Sequence, residues 1–106
     1  MEDSKKSIFY VGSYSDFIYI MELDREKEKL CTVNRIDNCN KPSYLCKLPG
    51  KNYLYANNEI SKGLGGVSSF DINDKRAPKP INRIYFNASG PCHISVSEDQ
   101  QTLLSA

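Results

Sequence analysis

Apolar and polar positions along the chain form short runs that have the character of β-strands. Each run lasts roughly 4–8 residues, is rich in β-branched or aromatic side chains, and is bounded by Gly, Pro, Asn or Asp. The charged segment at 24–29 favours a helix by composition but is too short to form one. The pattern therefore predicts an all-β protein with strands at 8–11, 17–23, 30–36, 44–48, 53–56, 67–72, 81–86, 93–96 and 102–106.

The strand pattern repeats within the chain. The segment that begins with PSYL at 42–45 aligns with the segment that begins with PCHI at 91–94, and VNRI at 33–36 recurs as INRI at 81–84. The offsets are about 48–50 residues, within the range of four-stranded propeller blades. The repeat therefore predicts a β-propeller whose blades each contain four antiparallel strands.

The repeat also predicts how residues 1–106 are organised as part of a single propeller domain. Residues 43–87 form a complete blade, residues 7–36 form an incomplete first blade without its innermost strand, and residues 92–106 start the next blade. Because blades bury both faces against their neighbours, a propeller ending here leaves apolar faces and strand edges open. We therefore expect the N-terminal part of a larger propeller that missing C-terminal blades close. A small autonomous β domain is the alternative.

Composition narrows the class of protein. The chain has 106 residues, 25% of them charged, seven tyrosines and a formal net charge of +1. This composition is typical of a soluble globular protein, and the near-neutral charge argues against nucleic acid or an anionic membrane as partner. No apolar run approaches the roughly 20 residues of a membrane span. The polar start, residues 1–7, does not resemble a secretory signal, so we expect a cytoplasmic protein.

The cysteines are consistent with a reducing compartment. The four cysteines contain no C-x-x-C pair, and the only histidine is His93, so the spacing offers no zinc site and we expect no metal. Two disulfides would require secretion, which nothing in the sequence indicates. We therefore expect free, buried thiols at Cys31, Cys39, Cys46 and Cys92.

Several motifs, taken in order, resemble those of a known family. They are FYVGSY at 9–14, PSYL at 42–45, LYANNE at 54–59, GGVSSF at 65–70 and GPCHISV at 90–96. The ordered set is similar to the opening of the seven-bladed propeller lactonases, which include the propeller-type 6-phosphogluconolactonases. The resemblance covers roughly residues 7–106 but departs from the family at the turns 24–29 and 74–78, which lack the family's glycine-containing pattern.

The resemblance implies about two of seven blades and a hydrolytic activity that needs no cofactor. The implied reaction converts 6-phospho-glucono-1,5-lactone, a small phosphorylated sugar lactone, to 6-phosphogluconate in the pentose phosphate pathway. Other catalytic groups are expected beyond Ala106, so this chain alone is expected to be inactive. A relative with the same fold interconverts a carboxymuconate and its lactone, so that activity stays an alternative. The second alternative is a non-catalytic propeller that serves as a binding platform.

Candidate site residues follow from the alternation of strand direction in a blade. The connections after the second and fourth strands emerge on the same rim, which brings together residues 13–14, 40–44, 58–59 and 89–93. A lactonase needs a base to activate water and donors for the oxyanion. His93 and Glu59 are the catalytic candidates, because in this set only imidazole and carboxylate side chains can act as bases near neutral pH.

The same rim supplies three candidate substrate-binding residues: Asn58, Tyr44 and Ser13. Each assignment has a structural alternative. His93 begins an inner strand and could instead bind the backbone of the next blade. Glu59 could be a loop carboxylate that is simply solvated or that holds nearby amides. Tyr44 occupies the equivalent position to His93 one blade earlier and could simply pack.

Overall fold

The computed structural model describes residues 5–61 and 63–106. Residues 1–4, on which part of the secretory-signal prediction rests, lie outside the described residues. In the described ranges every regular element is a strand, which confirms the predicted all-β class. The strands are β1 (Lys6–Val11), β2 (Ile18–Asp24), β3 (Lys29–Ile36), β4 (Leu45–Lys47), β5 (Tyr53–Asn58), β6 (Gly66–Asp71), β7 (Lys79–Tyr85), β8 (Ile94–Val96) and β9 (Leu103–Ser105).

The strands form three antiparallel sheets in chain order. The first sheet is β1-β2-β3, the second is β4-β5-β6-β7, and the third is the pair β8-β9. Every neighbouring pair is joined by one short connection, as expected where turn residues separate runs of strand formers. No helix long and apolar enough to cross a bilayer is found among the residues that the structure describes.

The core lies between the first and second sheets. Strand β6 shows strict alternation of buried and half-buried residues, so one of its faces is turned into this interface. The buried members of the core are Ile18, Ile20, Ile36 and Cys39 from the first sheet and its following loop, and Leu54, Ala56, Phe70 and Ile72 from the second. Removal of these side chains from water supplies the main attraction between the two sheets.

Polar contacts close the interface at one end of the sheets. The turn between β6 and β7 reaches back to the first sheet, where Arg76 Nε donates to Glu22 Oε2 at 2.9 Å. Asn34 Nδ2 donates to the carbonyl of Arg76 at 2.8 Å, and Tyr10 Oη donates to the carbonyl of Lys75 at 2.8 Å. These bonds join the turn to the first sheet but contribute little free energy individually, since the turn is exposed.

At the opposite end of the sheets, two glycines allow their loops to lie very close to a neighbouring connection. A Cβ at Gly12 would lie 2.3 Å from the carbonyl oxygen of Pro42, and a Cβ at Gly65 would lie 2.4 Å from Pro91 Cδ. Pro42 and Pro91 are equivalent positions in the sequence repeat. In the first two sheets, therefore, the absence of a side chain lets a loop pack directly against the connection that leads to the next sheet.

The cysteines are all free thiols, but their burial differs from the prediction. Cys39 is buried and Cys46 is half-buried, whereas Cys31 and Cys92 are exposed. The expectation of burial was wrong for these last two residues. Cys31 lies on β3, the last strand of its sheet, where every residue except the final Ile36 is exposed. Cys92 lies in the connection that precedes β8.

We predict that Ile20→Ala lowers the free energy of unfolding of the complete protein by about 2–5 kcal/mol, because it leaves a cavity between the two sheets. Ile20 is completely buried. The matched control is Leu30→Ala on exposed β3, which should cost less than about 1 kcal/mol. Denaturant unfolding followed by circular dichroism measures both values. Equal losses would contradict the location of the core.

We predict that Cys39 reacts with iodoacetamide at least about tenfold more slowly than Cys31 in the folded protein at pH 8. Burial raises the pKa of the Cys39 thiol, so less of the reactive thiolate is present, and burial also blocks access. Peptide mass spectrometry over a time course measures the two rates. The denatured protein is the control and should show similar rates. Fast labelling of Cys39 in the folded state would contradict its burial.

Candidate functional site

The candidate site forms where the connections between strands meet at one rim. The β1-β2 loop joins the β3-β4 connection through a bond from Ser13 N to the Pro42 carbonyl, at 2.9 Å. The β5-β6 loop joins the same connection through Glu59 N and the Lys41 carbonyl at 3.0 Å. It also joins the β7-β8 connection through Gly90 N and the Ile60 carbonyl at 2.7 Å. The four loops expected on one rim are therefore linked to one another.

The Glu59 carboxylate is held at this rim by a hydroxyl from the neighbouring connection. Glu59 directly follows β5 and is half-buried. Ser43 Oγ donates to Glu59 Oε1 at 2.9 Å. The Ser43 hydroxyl also lies 3.1 Å from Asn57 Nδ2, which donates to it. Glu59 is therefore not a freely solvated loop carboxylate, which was one of the two structural interpretations of its position.

The His93 and Tyr44 rings pack against each other at the starts of consecutive inner strands. Their ring centroids are 4.6 Å apart and the planes are tilted by 51°. The His93 backbone continues the β8-β9 ladder, since His93 N donates to the Ala106 carbonyl at 3.1 Å and Ala106 N returns a bond at 2.9 Å. Both residues are exposed. The contact fixes one face of the imidazole and leaves the ring accessible.

Asn57, which was not among the residues predicted from the sequence, joins the connection before β4 to the connection before β8. Its side chain is completely buried. Asn57 Oδ1 accepts the Tyr44 amide at 2.8 Å, and Asn57 Nδ2 donates to the Pro91 carbonyl at 2.7 Å. The amide therefore ties the start of one inner strand to the start of the next. The only signal in the sequence is a polar side chain at the end of an apolar strand, and a buried amide needs partners of this kind.

Asn58 points to the opposite face of β5 and also holds a loop. Its side chain is completely buried. Asn58 Nδ2 donates to the carbonyl of Cys39 at 2.6 Å, while Asn58 Oδ1 accepts from Ser68 Oγ at 3.1 Å. Arg83 Nε donates in turn to Ser68 Oγ at 2.9 Å. In this structure the Asn58 amide is engaged in packing rather than facing the rim.

The connection held by Asn58 has an unusual backbone. Asn38, Asn40 and Lys41 all adopt left-handed conformations, with φ of 58°, 53° and 55°. A non-glycine residue in this conformation costs free energy, which surrounding contacts must offset. The Asp16 carboxylate accepts the backbone amides of Asn38 at 3.1 Å and Asn40 at 2.9 Å. The strained connection is thus held from the first sheet as well as from the second.

Ser13 takes part in its own turn. Ser13 Oγ donates to the Phe17 carbonyl at 2.7 Å and shares a 2.7 Å hydrogen bond with Ser15 Oγ. The hydroxyl therefore shapes the β1-β2 loop. Its contact with the Pro42 carbonyl comes from the backbone amide and not from the side chain.

The chemical groups at the rim suit proton transfer and anion recognition. Glu59 and His93 can accept or donate protons, and the exposed Lys41 carries a positive charge. Within residues 5–61 and 63–106, no three His, Cys, Asp or Glu side chains come together in a way that could hold a metal ion. Glu59 and His93 supply the acid–base groups of this rim, and Lys41 supplies a cationic hydrogen-bond donor.

Comparison with known proteins identifies what the chain resembles. A family model described as "Lactonase, 7-bladed beta-propeller" matches residues 8–106. The 6-phosphogluconolactonase of Bacillus subtilis (strain 168) is 32% identical over 106 residues, a match that covers 95% of this chain and 30% of that protein. The chain thus spans only about a third of the length of this curated relative.

Solved structures share the fold. A Bacteroides fragilis NCTC 9343 protein, provisionally assigned as a 6-phosphogluconolactonase, superposes with a TM-score of 0.81 at 22% identity, over 97% of this chain and 30% of its own. A Lactobacillus plantarum protein superposes with a TM-score of 0.79 at 24% identity, over 95% of this chain and 30% of its own. At these identities the likeness establishes the fold, and it confirms the propeller predicted from the repeat.

We predict that Asn58→Ala lowers the free energy of unfolding of the complete protein by about 1–3 kcal/mol, because buried polar groups lose their partners. The matched control is Asn82→Ala, since Asn82 is exposed and accepts a hydrogen bond from Ser69. The control should change stability by no more than about 0.5 kcal/mol. Denaturant unfolding measures both. A neutral Asn58→Ala variant would show that the amide does not hold the strained connection.

Proposed function

We propose that the complete protein hydrolyses a phosphorylated sugar lactone, because this chain belongs to the seven-bladed β-propeller lactonase family. The proposed substrate is 6-phospho-glucono-1,5-lactone and the product is 6-phosphogluconate, a reaction of the pentose phosphate pathway. The name of the Bacillus subtilis relative supports this choice. Free thiols at the four cysteines are consistent with a reducing compartment and so support a cytoplasmic enzyme.

The observation that carries the proposal is the Glu59 carboxylate held by Ser43 at the same rim as the exposed His93 ring. Glu59 takes a proton from water, and the water oxygen forms a bond to the lactone carbonyl carbon. The ring C–O bond then breaks, and the departing alkoxide receives a proton from His93. Each step needs only acid–base groups and donors for the oxyanion.

Substrate binding is proposed for groups around the same rim. Tyr44 offers an aromatic face beside His93, and Ser13 lies in the loop that contacts Pro42. Asn58 contributes indirectly, by shaping the connection that carries Lys41 and Ser43. Lys41 is an exposed cation of the kind that a phosphorylated substrate requires.

We further propose that additional blades complete the propeller and that this chain alone is inactive. The proposed division is an incomplete blade at 7–36, a complete blade at 43–87 and the start of another at 92–106. An apolar cleft of about 830 Å³ opens on the face of the second sheet turned away from the first, and Tyr55, Val67, Phe86 and Leu103 are among its lining residues. A propeller blade normally covers such a face.

The test is hydrolysis of 6-phospho-glucono-1,5-lactone by the complete protein, measured as acid release above the spontaneous rate. We expect Glu59→Gln and His93→Gln each to lower kcat by about 10²–10⁴-fold, the range typical of general acid–base groups. Glu98→Gln is the matched control, because Glu98 is an exposed carboxylate in the turn at the other end of β8. It should leave kcat unchanged.

Two results would contradict the proposal. A complete, folded protein that hydrolyses the lactone no faster than water would exclude this activity and favour a non-catalytic binding platform. Unchanged turnover in both Glu59→Gln and His93→Gln, with hydrolysis retained, would place the catalytic groups elsewhere.

A further inference from the structure

We propose that Ser43 is a positioning residue for Glu59, and that Asn57 sets the direction of its hydrogen bond. The inference rests on the proposed function, because it concerns the same carboxylate. Neither Ser43 nor Asn57 was selected from the sequence. Their contacts form one continuous hydrogen-bonded chain from the backbone at Pro91 to the Glu59 carboxylate.

The orientation of the Asn57 amide is set by two backbone groups. Asn57 Oδ1 accepts the Tyr44 N–H at 2.8 Å, and Asn57 Nδ2 donates to the Pro91 carbonyl at 2.7 Å. Reversing the amide would place donor against donor and acceptor against acceptor in a fully buried position. The NH₂ group therefore faces Pro91 and Ser43.

The direction of the Ser43 hydroxyl follows from this orientation. A serine hydroxyl has one proton to donate and can accept through its oxygen. Asn57 Nδ2 donates to Ser43 Oγ at 3.1 Å, and Ser43 Oγ lies 2.9 Å from Glu59 Oε1. The other acceptor within reach, Asn57 Oδ1, is more distant at 3.3 Å and already accepts the Tyr44 amide. The Ser43 proton is therefore directed to Glu59.

This series of hydrogen bonds holds Oε1 of the Glu59 carboxylate and thereby leaves Oε2 to contact water. Among the described residues, no hydrogen bond or ion pair is found to Glu59 Oε2. A carboxylate held through one oxygen loses rotational freedom and presents the second oxygen in a constant direction. Because this series of hydrogen bonds begins at the Pro91 carbonyl, the position of Glu59 also depends on how the connection that precedes β8 docks.

The test compares Ser43→Ala with Ser43→Thr in the complete protein. We expect Ser43→Ala to lower kcat by about 10–100-fold with KM changed less than about threefold, because the base is misplaced and substrate contacts are kept. Ser43→Thr keeps the hydroxyl and should restore most of kcat. Ser69→Ala is the matched control, since Ser69 is a half-buried serine whose hydroxyl donates to Asn82 at 2.5 Å within the second sheet.

A double-mutant cycle provides the second measurement. If Ser43 acts through Glu59, Ser43→Ala should lower kcat no further when Glu59→Gln is already present. Multiplicative losses in the double variant would overturn the inference while leaving the proposed function intact. Full activity of Ser43→Ala would do the same. Failure of the unsubstituted protein to hydrolyse the lactone would overturn the proposed function and the inference together.

Discussion

Two consecutive buried amides at the end of β5 hold the rim of this protein together. Because successive residues of a strand point to opposite faces, Asn57 reaches the inner strand starts and Asn58 reaches the connection from the first sheet. Both side chains are completely buried, so each donor and acceptor needs a partner. The partners are mostly backbone groups of loops, and this requirement fixes where those loops lie.

The apolar core holds the first two sheets together, whereas the buried amides determine where the loops lie. The buried apolar cluster that includes Ile20 and Phe70 draws the first two sheets together without specifying a register, since hydrophobic attraction is not directional. The amides are directional, and they are supplemented by the Asp16 carboxylate at the strained connection. The left-handed residues at Asn40 and Lys41 persist because the surrounding bonds enforce them.

This arrangement explains why the proposed chemistry belongs to the assembled propeller. Glu59 comes from the second sheet, while His93 precedes a strand of the third, and Asn57 joins the two through Pro91. The packing of Tyr44 on His93 adds a second contact between the same elements. The carboxylate and the imidazole therefore reach the same rim through the packing of the second sheet against the connection that precedes the third.

Much of the fold could be predicted because it depends on local sequence. Short runs of β-branched and aromatic residues between turn residues specify strands, and the recurrence of PSYL as PCHI specifies a propeller repeat. Strand alternation then places Ser13, Tyr44, Glu59 and His93 on one rim. The roles of neighbouring residues were less accessible. Asn57 was missed, Asn58 faces the core, and Cys31 is exposed rather than buried.

These differences have one physical cause. Strand type depends on residues close together in the chain, and the repeat is visible in the sequence alone, so the amino-acid sequence by itself determined the all-β class, the propeller fold and the rim where the connections meet. The partners of a buried amide come from distant residues: Pro91 lies 34 positions from Asn57, and Cys39 lies 19 positions from Asn58. Only the tertiary structure decided which face each side chain occupies, which carbonyl it binds, and how the Glu59 carboxylate is held.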